Sequence, residues 1–179
     1  MIRKTICVCD VTQHGEIDLD SKFRSRVSWR EKLERMKEPK IVDIPSKMQK
    51  RFGKGKMLIP KPLDIDALIR KVPKGKLITQ SQIREKLAKD FKVDVTCPLT
   101  TGIFIRIIAE AAEEDLRNGK KSVTPYWRVI KKDGSLNPKF PGGVEAQAKR
   151  LEAEGHVIEF SRRSKPKKVK NFEKYLVKL

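Results

Sequence analysis

The sequence lacks a long apolar run. No hydrophobic stretch approaches the roughly 18 residues that a membrane-spanning helix needs. The first 20 residues carry neither the apolar core nor the small-residue cleavage site of a signal peptide. Cysteine is also scarce, and three residues, an odd number, do not form a disulfide framework. The sequence therefore predicts a soluble protein with no membrane partner, located in the cytoplasm and associated with the nucleoid if the organism is prokaryotic.

Metal ligands are few as well. Cys7 and Cys9 form a Cys-x-Cys pair without a second pair to complete it, and the only histidines are His14 and His156. Structural zinc sites use four ligands. The run RFGKGK also lacks the glycine and lysine spacing of a phosphate-cradling loop. We therefore expect no metal and no cofactor.

Acidic residues are scarce in two parts of the chain. The formal net charge of the protein is +19, of which residues 21–76 carry +12 and residues 161–179 carry +7, whereas residues 77–160 carry only +2. Surfaces of mixed sign are sufficient for solubility. Two strongly basic flanks around a nearly neutral middle therefore indicate a polyanionic partner, and nucleic acid is the partner that this charge favours.

The basic flanks are predicted to be extensions of one domain. Residues 1–62 are expected to form an N-terminal extension or linker with a short helix over 28–38, which Ser28 caps. The proline-rich and lysine-rich stretch from Pro39 to Pro62 favours an extended linker that is neither helix nor sheet. Residues 161–179 are expected to form a basic tail that is disordered until it meets phosphate and that ends in a short helix.

Residues 63–160 are predicted to form the compact domain. Asp64 is expected to cap its first helix, and Thr79 with Gln82 three residues later forms a capping box for the second. A long helix then begins near Pro98 and ends at Asn118-Gly119.

The second half of this domain contains the strand signals. A strand over 122–130 is followed by a tight turn at Asp133-Gly134, a final helix over 144–155 and a closing strand over 156–160. The whole order predicts a mainly helical fold with short strands. We expect a winged-helix-like, helix-turn-helix domain that presents the second helix of the pair to DNA.

Four short patterns occur in order over residues 72–160. They are VPKGKLITQ at 72–80, Asn118 eight residues before Tyr126, PYWRV at 125–129, and Gly142-Gly143 followed by a helix that ends in Glu154-Gly155. Together they resemble the signatures of the DNA-binding domain of the O6-alkylguanine-DNA alkyltransferases, the methylated-DNA–protein-cysteine methyltransferase family. Those proteins move an alkyl group from a flipped-out guanine to one of their own cysteines.

Two residues depart from that family's pattern. Tyr126 stands at the position of the acceptor cysteine, and Trp127 at the position of the histidine that acts through water and a glutamate, here Glu154, to form the thiolate. A phenol has an ordinary pKa of about 10 and needs a base beside it, which Trp127 does not supply. The resemblance therefore implies a degenerate site with no catalytic residue. It is similar to the alkyltransferase-like proteins, which bind damaged DNA without accepting the alkyl group and pass it to other repair machinery.

The resemblance also implies the DNA-contacting positions. The arginine that fills the gap left by the flipped base aligns with Gly102 in one register and with Arg106 in the other, and we prefer Arg106. The implied DNA contacts are Thr79, Gln80, Thr100, Thr101, Gly102, Arg106 and Arg128. The implied lesion pocket comprises Asn118, Pro125, Tyr126, Trp127, Ser135, Phe140, Gly142 and Gly143, with Tyr126 and Trp127 as its floor.

Three functional hypotheses are compatible with this sequence. The first is a monomer that binds double-stranded DNA, recognises O6-alkylguanine without alkyl transfer, and works with other DNA-repair proteins. The second is a general nucleic-acid-binding or architectural protein that reuses the same fold. The third is an active methyltransferase whose acceptor is displaced to Cys97, near the start of the long helix, although a buried structural cysteine is the other interpretation of that residue.

Overall fold

The computed structural model describes residues 27–161 and 164–178. The Cys7 and Cys9 pair lies outside these residues. The described helices are α1 (Trp29–Glu34), α2 (Ser46–Phe52), α3 (Pro62–Arg70), α4 (Gln80–Asp90), α5 (Pro98–Arg117) and α6 (Gly143–Glu152). The described strands are β1 (Lys40–Asp43), β2 (Lys56–Ile59), β3 (Ile78–Thr79), β4 (Val95–Thr96), β5 (Val129–Ile130), β6 (Ile158–Phe160) and β7 (Pro166–Val169). Short 3-10 helices lie at Tyr126–Arg128 and Phe172–Tyr175. The fold is thus a mixture of helices and short strands.

The long helix α5 is the centre of the main hydrophobic core. Its buried face includes Ile105, Ile108 and Ala112, which pack against residues of α1, α3 and α4. The predicted start of α4 is confirmed, because the Thr79 hydroxyl accepts from the Gln82 backbone while the Gln82 side chain accepts from the Thr79 backbone. Because one face of α5 is buried in the core, the positions of the side chains on its exposed face are fixed.

Two predicted helix boundaries differ from the structure. Ser28 caps α1 as expected, but this helix ends at Glu34, well before Pro39. Asp64 does not cap α3, which begins at Pro62 after Lys61; Asp64 lies in the first turn and pairs with the Lys61 ammonium at 3.5 Å. Proline is favoured at the first helical position because its missing N–H has no partner there in any case.

The expected linker over 39–62 was wrong. Strand β1 pairs with β2 antiparallel and β2 pairs with β4 parallel, so these residues form a three-stranded sheet that crosses the predicted domain boundary at residue 62. Helix α2 covers the sheet, and Ile44, Met57 and Cys97 form a small core beneath it. The apolar residues between the lysines are therefore buried by strand pairing, which residue composition does not reveal.

The predicted strand over 122–130 forms only at its end. Tyr126–Arg128 is a 3-10 helix, and only Val129 and Ile130 pair, in parallel, with β3. The tight turn at Asp133-Gly134 is present, since the Gly134 backbone donates to the Lys131 carbonyl at 3.0 Å. Beyond that turn Ser135 bridges to Lys168 of β7. The chain therefore leaves the turn toward the C-terminal segment instead of continuing a hairpin with β5.

The C-terminal residues are packed on the domain, which corrects the expectation of a disordered tail. The predicted strand over 156–160 forms as β6 and pairs with β7. Further on, the Leu77 backbone donates to Tyr175 at 2.8 Å and accepts from Val177 at 2.9 Å. Within residues 27–161 and 164–178, the helices are too short or too polar to cross a bilayer.

Candidate functional site

Glu154 lies at a buried junction where three separate stretches of chain meet. Its carboxylate accepts hydrogen bonds from the Trp127 indole at 2.6 Å, from the Arg128 guanidinium at 2.8 and 2.9 Å, and from the Gly75 backbone at 3.1 Å. Arg128 also donates to the Val72 carbonyl at 2.6 Å. The first, third and fourth sequence patterns therefore converge on one carboxylate, whose side chain is 7% exposed.

Local structure places each member of this junction. The 3-10 helix presents Trp127 and Arg128 on successive residues, and Glu154 follows the end of α6. Gly75 has a φ of +74° in the turn between α3 and β3, a conformation that glycine adopts without the steric cost of a side chain. This turn points the Gly75 N–H at the carboxylate.

Two opposing effects act on the Glu154 carboxyl. Burial alone would raise its pKa, but hydrogen bonds from Arg128, Trp127 and Gly75 outweigh burial and hold the pKa below its ordinary value. The carboxylate is ionised at neutral pH and its oxygens are already bonded. The junction is therefore a structural ion pair, and Glu154 is not a free general base.

Tyr126 is sealed inside the core beside this junction. It is 1% exposed, and its ring packs edge-on against Trp127 and Phe140 with centroids 5.5 and 5.2 Å apart. Its hydroxyl donates to Glu113 at 2.7 Å, and Glu113 also pairs with Arg150. Burial first, and this hydrogen bond second, raise the pKa of Tyr126 far above its ordinary value. A neutral, buried phenol cannot act as the nucleophile that accepts an alkyl group from a DNA base.

The eight predicted pocket residues are not brought together around an open site. Pro125, Tyr126 and Phe140 are core residues, while Asn118 caps the exposed C-terminal end of α5. The Ser135 hydroxyl donates to Asp133 at 2.7 Å within the surface turn. The role of Tyr126 as a pocket floor stays a prediction; in this structure its ring is 1% exposed and has no open face.

The remaining predicted pocket residues have structural roles. One side of the half-buried Trp127 ring lies 4.7 Å from the Arg150 guanidinium. Gly142 and Gly143 form the turn into α6 with φ of +70° and +68°. A Cβ at Gly142 would lie 2.6 Å from the Ala146 side chain. Both glycines are required by the backbone itself.

An open groove of about 690 Å³ runs along the first half of α5. It is lined from α5 by Pro98, Leu99, Gly102, Ile103, Arg106 and Ile107, and from other elements by Trp29, Gln80, Lys131, Asn137 and Lys139. Three cations and no carboxylate contribute to this lining. Leu99 and Ile103, 70% and 49% exposed, add an apolar edge. The groove therefore suits a polyanion that also presents apolar surface, as the sugars and bases of nucleic acid do.

Arg106 is the one long cation that α5 itself places in the groove. Its side chain is 54% exposed, and Nε lies 3.8 Å from Glu110 one turn along the helix. A Cβ at Gly102, one turn earlier, would contact nothing within 4 Å, so the helix surface there is open. Gln80, Gly102 and Arg106, three of the predicted DNA contacts, are thus brought together.

The other predicted DNA contacts are occupied within the protein. Thr79 is 4% exposed and belongs to the α4 cap, and Thr101 is 1% exposed and donates to the Cys97 carbonyl at 2.7 Å. Thr100 is partly buried and donates to the same carbonyl at 3.3 Å. Arg128 is held by Glu154. Its use as a DNA contact stays a prediction; in this structure its guanidinium donates to the Glu154 carboxylate and to the Val72 carbonyl.

Sequence reasoning missed most of the groove. Leu99 and Ile103 could have been found, because the first three turns of α5 carry apolar residues on more than one face and a helix usually buries only one. Lys131 and Lys139 gave no signal beyond their charge. Trp29 lies in the segment interpreted as an extension, and its place beside α5 follows from tertiary packing alone.

Cys97 is not presented to this groove. It is 8% exposed and packs in the small core with Ile44 and Met57. This burial agrees with a structural cysteine, and it leaves the thiol without the access to DNA that an alkyl acceptor would need. No cluster of three or more potential metal ligands occurs among the described residues.

No family model and no curated protein matches this chain. Solved structures that align with it include two complexes with DNA. One is the crystal structure of Schizosaccharomyces pombe Atl1 in complex with damaged DNA containing O6-carboxymethylguanine, at 19% identity and a TM-score of 0.47, covering 66% of this chain and 94% of that one. The other is S. pombe ATL in complex with DNA, at 20% identity with the same TM-score and coverage. Neither alignment reaches the similarity at which a shared fold can be inferred.

Proposed function

We propose that this protein is an alkyltransferase-like DNA-binding protein that recognises O6-alkylguanine in duplex DNA without accepting the alkyl group. One observation carries this proposal: three patterns that lie far apart in the sequence meet at the Glu154 carboxylate. In the family that the sequence resembles, the residue at the position of Trp127 works through the glutamate. Here Trp127 donates directly to Glu154 at 2.6 Å, so the matched positions are also neighbours in space.

The same junction supports binding without transfer. The nucleophile position holds Tyr126, a buried phenol whose raised pKa keeps it protonated. The base position holds Trp127, whose single N–H is a donor only. Alkyl transfer needs an accessible anionic nucleophile, and the two residues supply none.

The groove beside α5 is the proposed DNA interface. Helices α4 and α5 would act as the helix-turn-helix pair and the turn after β5 as the wing, a winged-helix-like arrangement. Gln80, Arg106 and Lys131, from these three elements, line one surface. Arg106 would enter the base stack, and the lysines would neutralise phosphates. We further propose that the protein acts as a cytoplasmic monomer that hands the lesion to other repair proteins.

The test compares two duplexes that differ only by one O6-methylguanine. Fluorescence anisotropy with the full chain is expected to show tighter binding to the modified duplex, and intact-protein mass spectrometry after incubation is expected to show no added methyl group. Equal affinities for the two duplexes would refute lesion recognition. A mass gain of one methyl group would refute binding without transfer.

A second candidate function is favoured by the burial of Tyr126. Because this ring is 1% exposed, it would fill the space in which the family holds a flipped base. A general nucleic-acid-binding protein needs no such space. Such a protein would show a steep dependence of affinity on salt and no preference for the modified duplex. The anisotropy comparison, repeated at several salt concentrations, separates the two candidates.

A further inference from the structure

Residues 40–59 form a folded unit that we call the basic module. It consists of β1, α2 and β2, and it contains six basic residues against a single acidic residue, Asp43. The module lies outside the region that carries the four sequence patterns. Its function therefore needs an explanation of its own.

The folding of the module directs its cations outward. Met48 and Phe52, four residues apart on α2, pack against the small core that contains Ile44 and Met57. Lys47, Lys50 and Arg51 lie on the exposed side of the same helix, and the following Lys54 is exposed as well.

These cations are largely unneutralised. Asp43 pairs with Lys56 at 2.8 Å. Among the described residues, no carboxylate forms an ion pair with Lys47, Lys50, Arg51 or Lys54 (salt bridges are present elsewhere on the surface). A cluster of like charges without local partners repels itself, so an external anion lowers its electrostatic energy.

The module is continuous with the groove. Strand β2 pairs with β4, and the Cys97 backbone donates to Leu58 of β2 at 2.8 Å. Cys97 belongs to the core of the module, and the next two residues, Pro98 and Leu99, line the groove. At about 1.5 Å of helix rise per residue, only about 3 Å of axis separates Cys97 from Leu99.

We propose that the basic module binds the phosphates of duplex DNA beyond the stretch held in the groove, and so lengthens the contacted site. This inference rests on the proposed DNA-binding function. Double-stranded DNA carries one negative charge per roughly 1.7 Å of axis, so a duplex that leaves the groove presents phosphates continuously. Exposed lysines contact phosphates without reading bases, so the added contacts strengthen binding equally on modified and unmodified DNA.

The experiment uses the full chain with Lys47→Gln, Lys50→Gln, Arg51→Gln and Lys54→Gln combined. The matched control replaces the same number of exposed cations elsewhere on the protein, Lys71→Gln, Lys76→Gln, Lys174→Gln and Lys178→Gln, which line a separate groove of about 660 Å³. Affinity is measured by anisotropy against salt on a duplex of about ten base pairs, one helical turn, and on a longer one.

On the long duplex, the module variant is expected to lose about 2 to 4 units of the slope of log K against log salt, at about 0.9 per phosphate contact. The control variant should lose less than half as much, and on the short duplex the two variants should match. Equal slopes for both variants on the long duplex would overturn the inference while leaving DNA binding intact. If the protein without substitutions does not bind duplex DNA, both the proposed function and this inference are refuted.

Discussion

The junction around Glu154 and the groove beside α5 are built in opposite ways. In the junction each polar atom has a partner, and the Glu154 and Arg128 side chains are 7% and 13% exposed. In the groove Arg106 is 54% exposed, and Leu99 is exposed without covering side chains. The first region is satisfied internally, whereas the second has unused charge and apolar surface.

The residues that carry the sequence resemblance are therefore mostly different from the residues that a partner could contact. The patterns that resemble the alkyltransferases lie mainly in the junction, where they hold β3, the 3-10 helix and the end of α6 together. The residues available to a partner lie mostly outside those patterns. Under the proposed function, the junction would stabilise the fold, and DNA binding would depend on the groove.

The largest expected effect comes from breaking the junction. Glu154→Ala would leave the Arg128 charge buried without its partner and would remove the acceptor of Trp127 and Gly75. Loss of one member of a buried pair costs about 3 to 5 kcal/mol, so we expect a decrease of that size in the free energy of unfolding, measured by urea denaturation.

Glu152→Ala is the matched control, since Glu152 is exposed and is the last residue of α6, two residues before Glu154. The control should change stability by less than about 0.5 kcal/mol. A Glu154→Ala protein as stable as the control would show that the junction contributes nothing to the fold.

A smaller effect is expected at the sealed phenol. Tyr126→Phe keeps the ring and removes the hydroxyl that donates to Glu113. Since Glu113 still pairs with Arg150, we expect a loss of about 1.5 kcal/mol in unfolding free energy, at the low end for hydrogen bonds to charged groups. Tyr175→Phe serves as the control, because no hydrogen bond of the Tyr175 hydroxyl is found among the described residues. Equal stability of the two variants would mean that Tyr126 contributes through its ring alone.

Periodicity and capping predicted the positions of α4, α5 and α6, whereas α2 lies in the stretch expected to be a linker. The Thr79–Gln82 box and the Asn118-Gly119 stop are local signals, and both appear where they were expected. The basic stretch over 39–62 was misjudged, because β1 pairs with β2, and β2 in turn pairs with β4 more than 30 residues along the chain. Composition does not encode such a distant partner.

The candidate site divides in the same way. Arg106, Gly102 and Gln80 were predicted from the resemblance, and the structure places all three in the groove. The sequence could not show that Arg128, also predicted as a DNA contact, donates to Glu154 and to the Val72 carbonyl. Trp29 was missed because its position depends on how α1 packs against α5.

The groove is tested by Arg106→Ala. Since this side chain is more than half exposed, its loss should leave the unfolding free energy unchanged and weaken duplex binding about tenfold, equivalent to about 1.4 kcal/mol. Arg117→Ala is the control, an exposed arginine at the far end of the same helix. If both variants bind duplex DNA equally in anisotropy, the groove is not the DNA interface.

The smallest expected effect concerns His156, which connects the junction to the C-terminal segment. Its ring is 4% exposed, packs edge-on against Tyr175 at 4.7 Å, and has no hydrogen-bond partner at either nitrogen among the described residues. Burial first lowers its pKa; the charge of Glu154 raises it and that of Arg128 lowers it further.

Acidification should therefore destabilise the fold through this histidine. As the pH falls below the ordinary histidine value of about 6.5, the unfolded chain takes up a proton that the folded chain does not. The contribution of His156 is thus complete above that pH and is lost below it, down to the lowered pKa. Glu154 loses its contribution only as the pH falls below its ordinary value of 4.5, so it does not account for a change between pH 5 and 8. Urea denaturation between pH 5 and 8 should show a decline toward pH 5 that His156→Phe abolishes. A decline of the same size in both proteins would assign it to other groups, and the C-terminal segment would then not depend on a neutral His156.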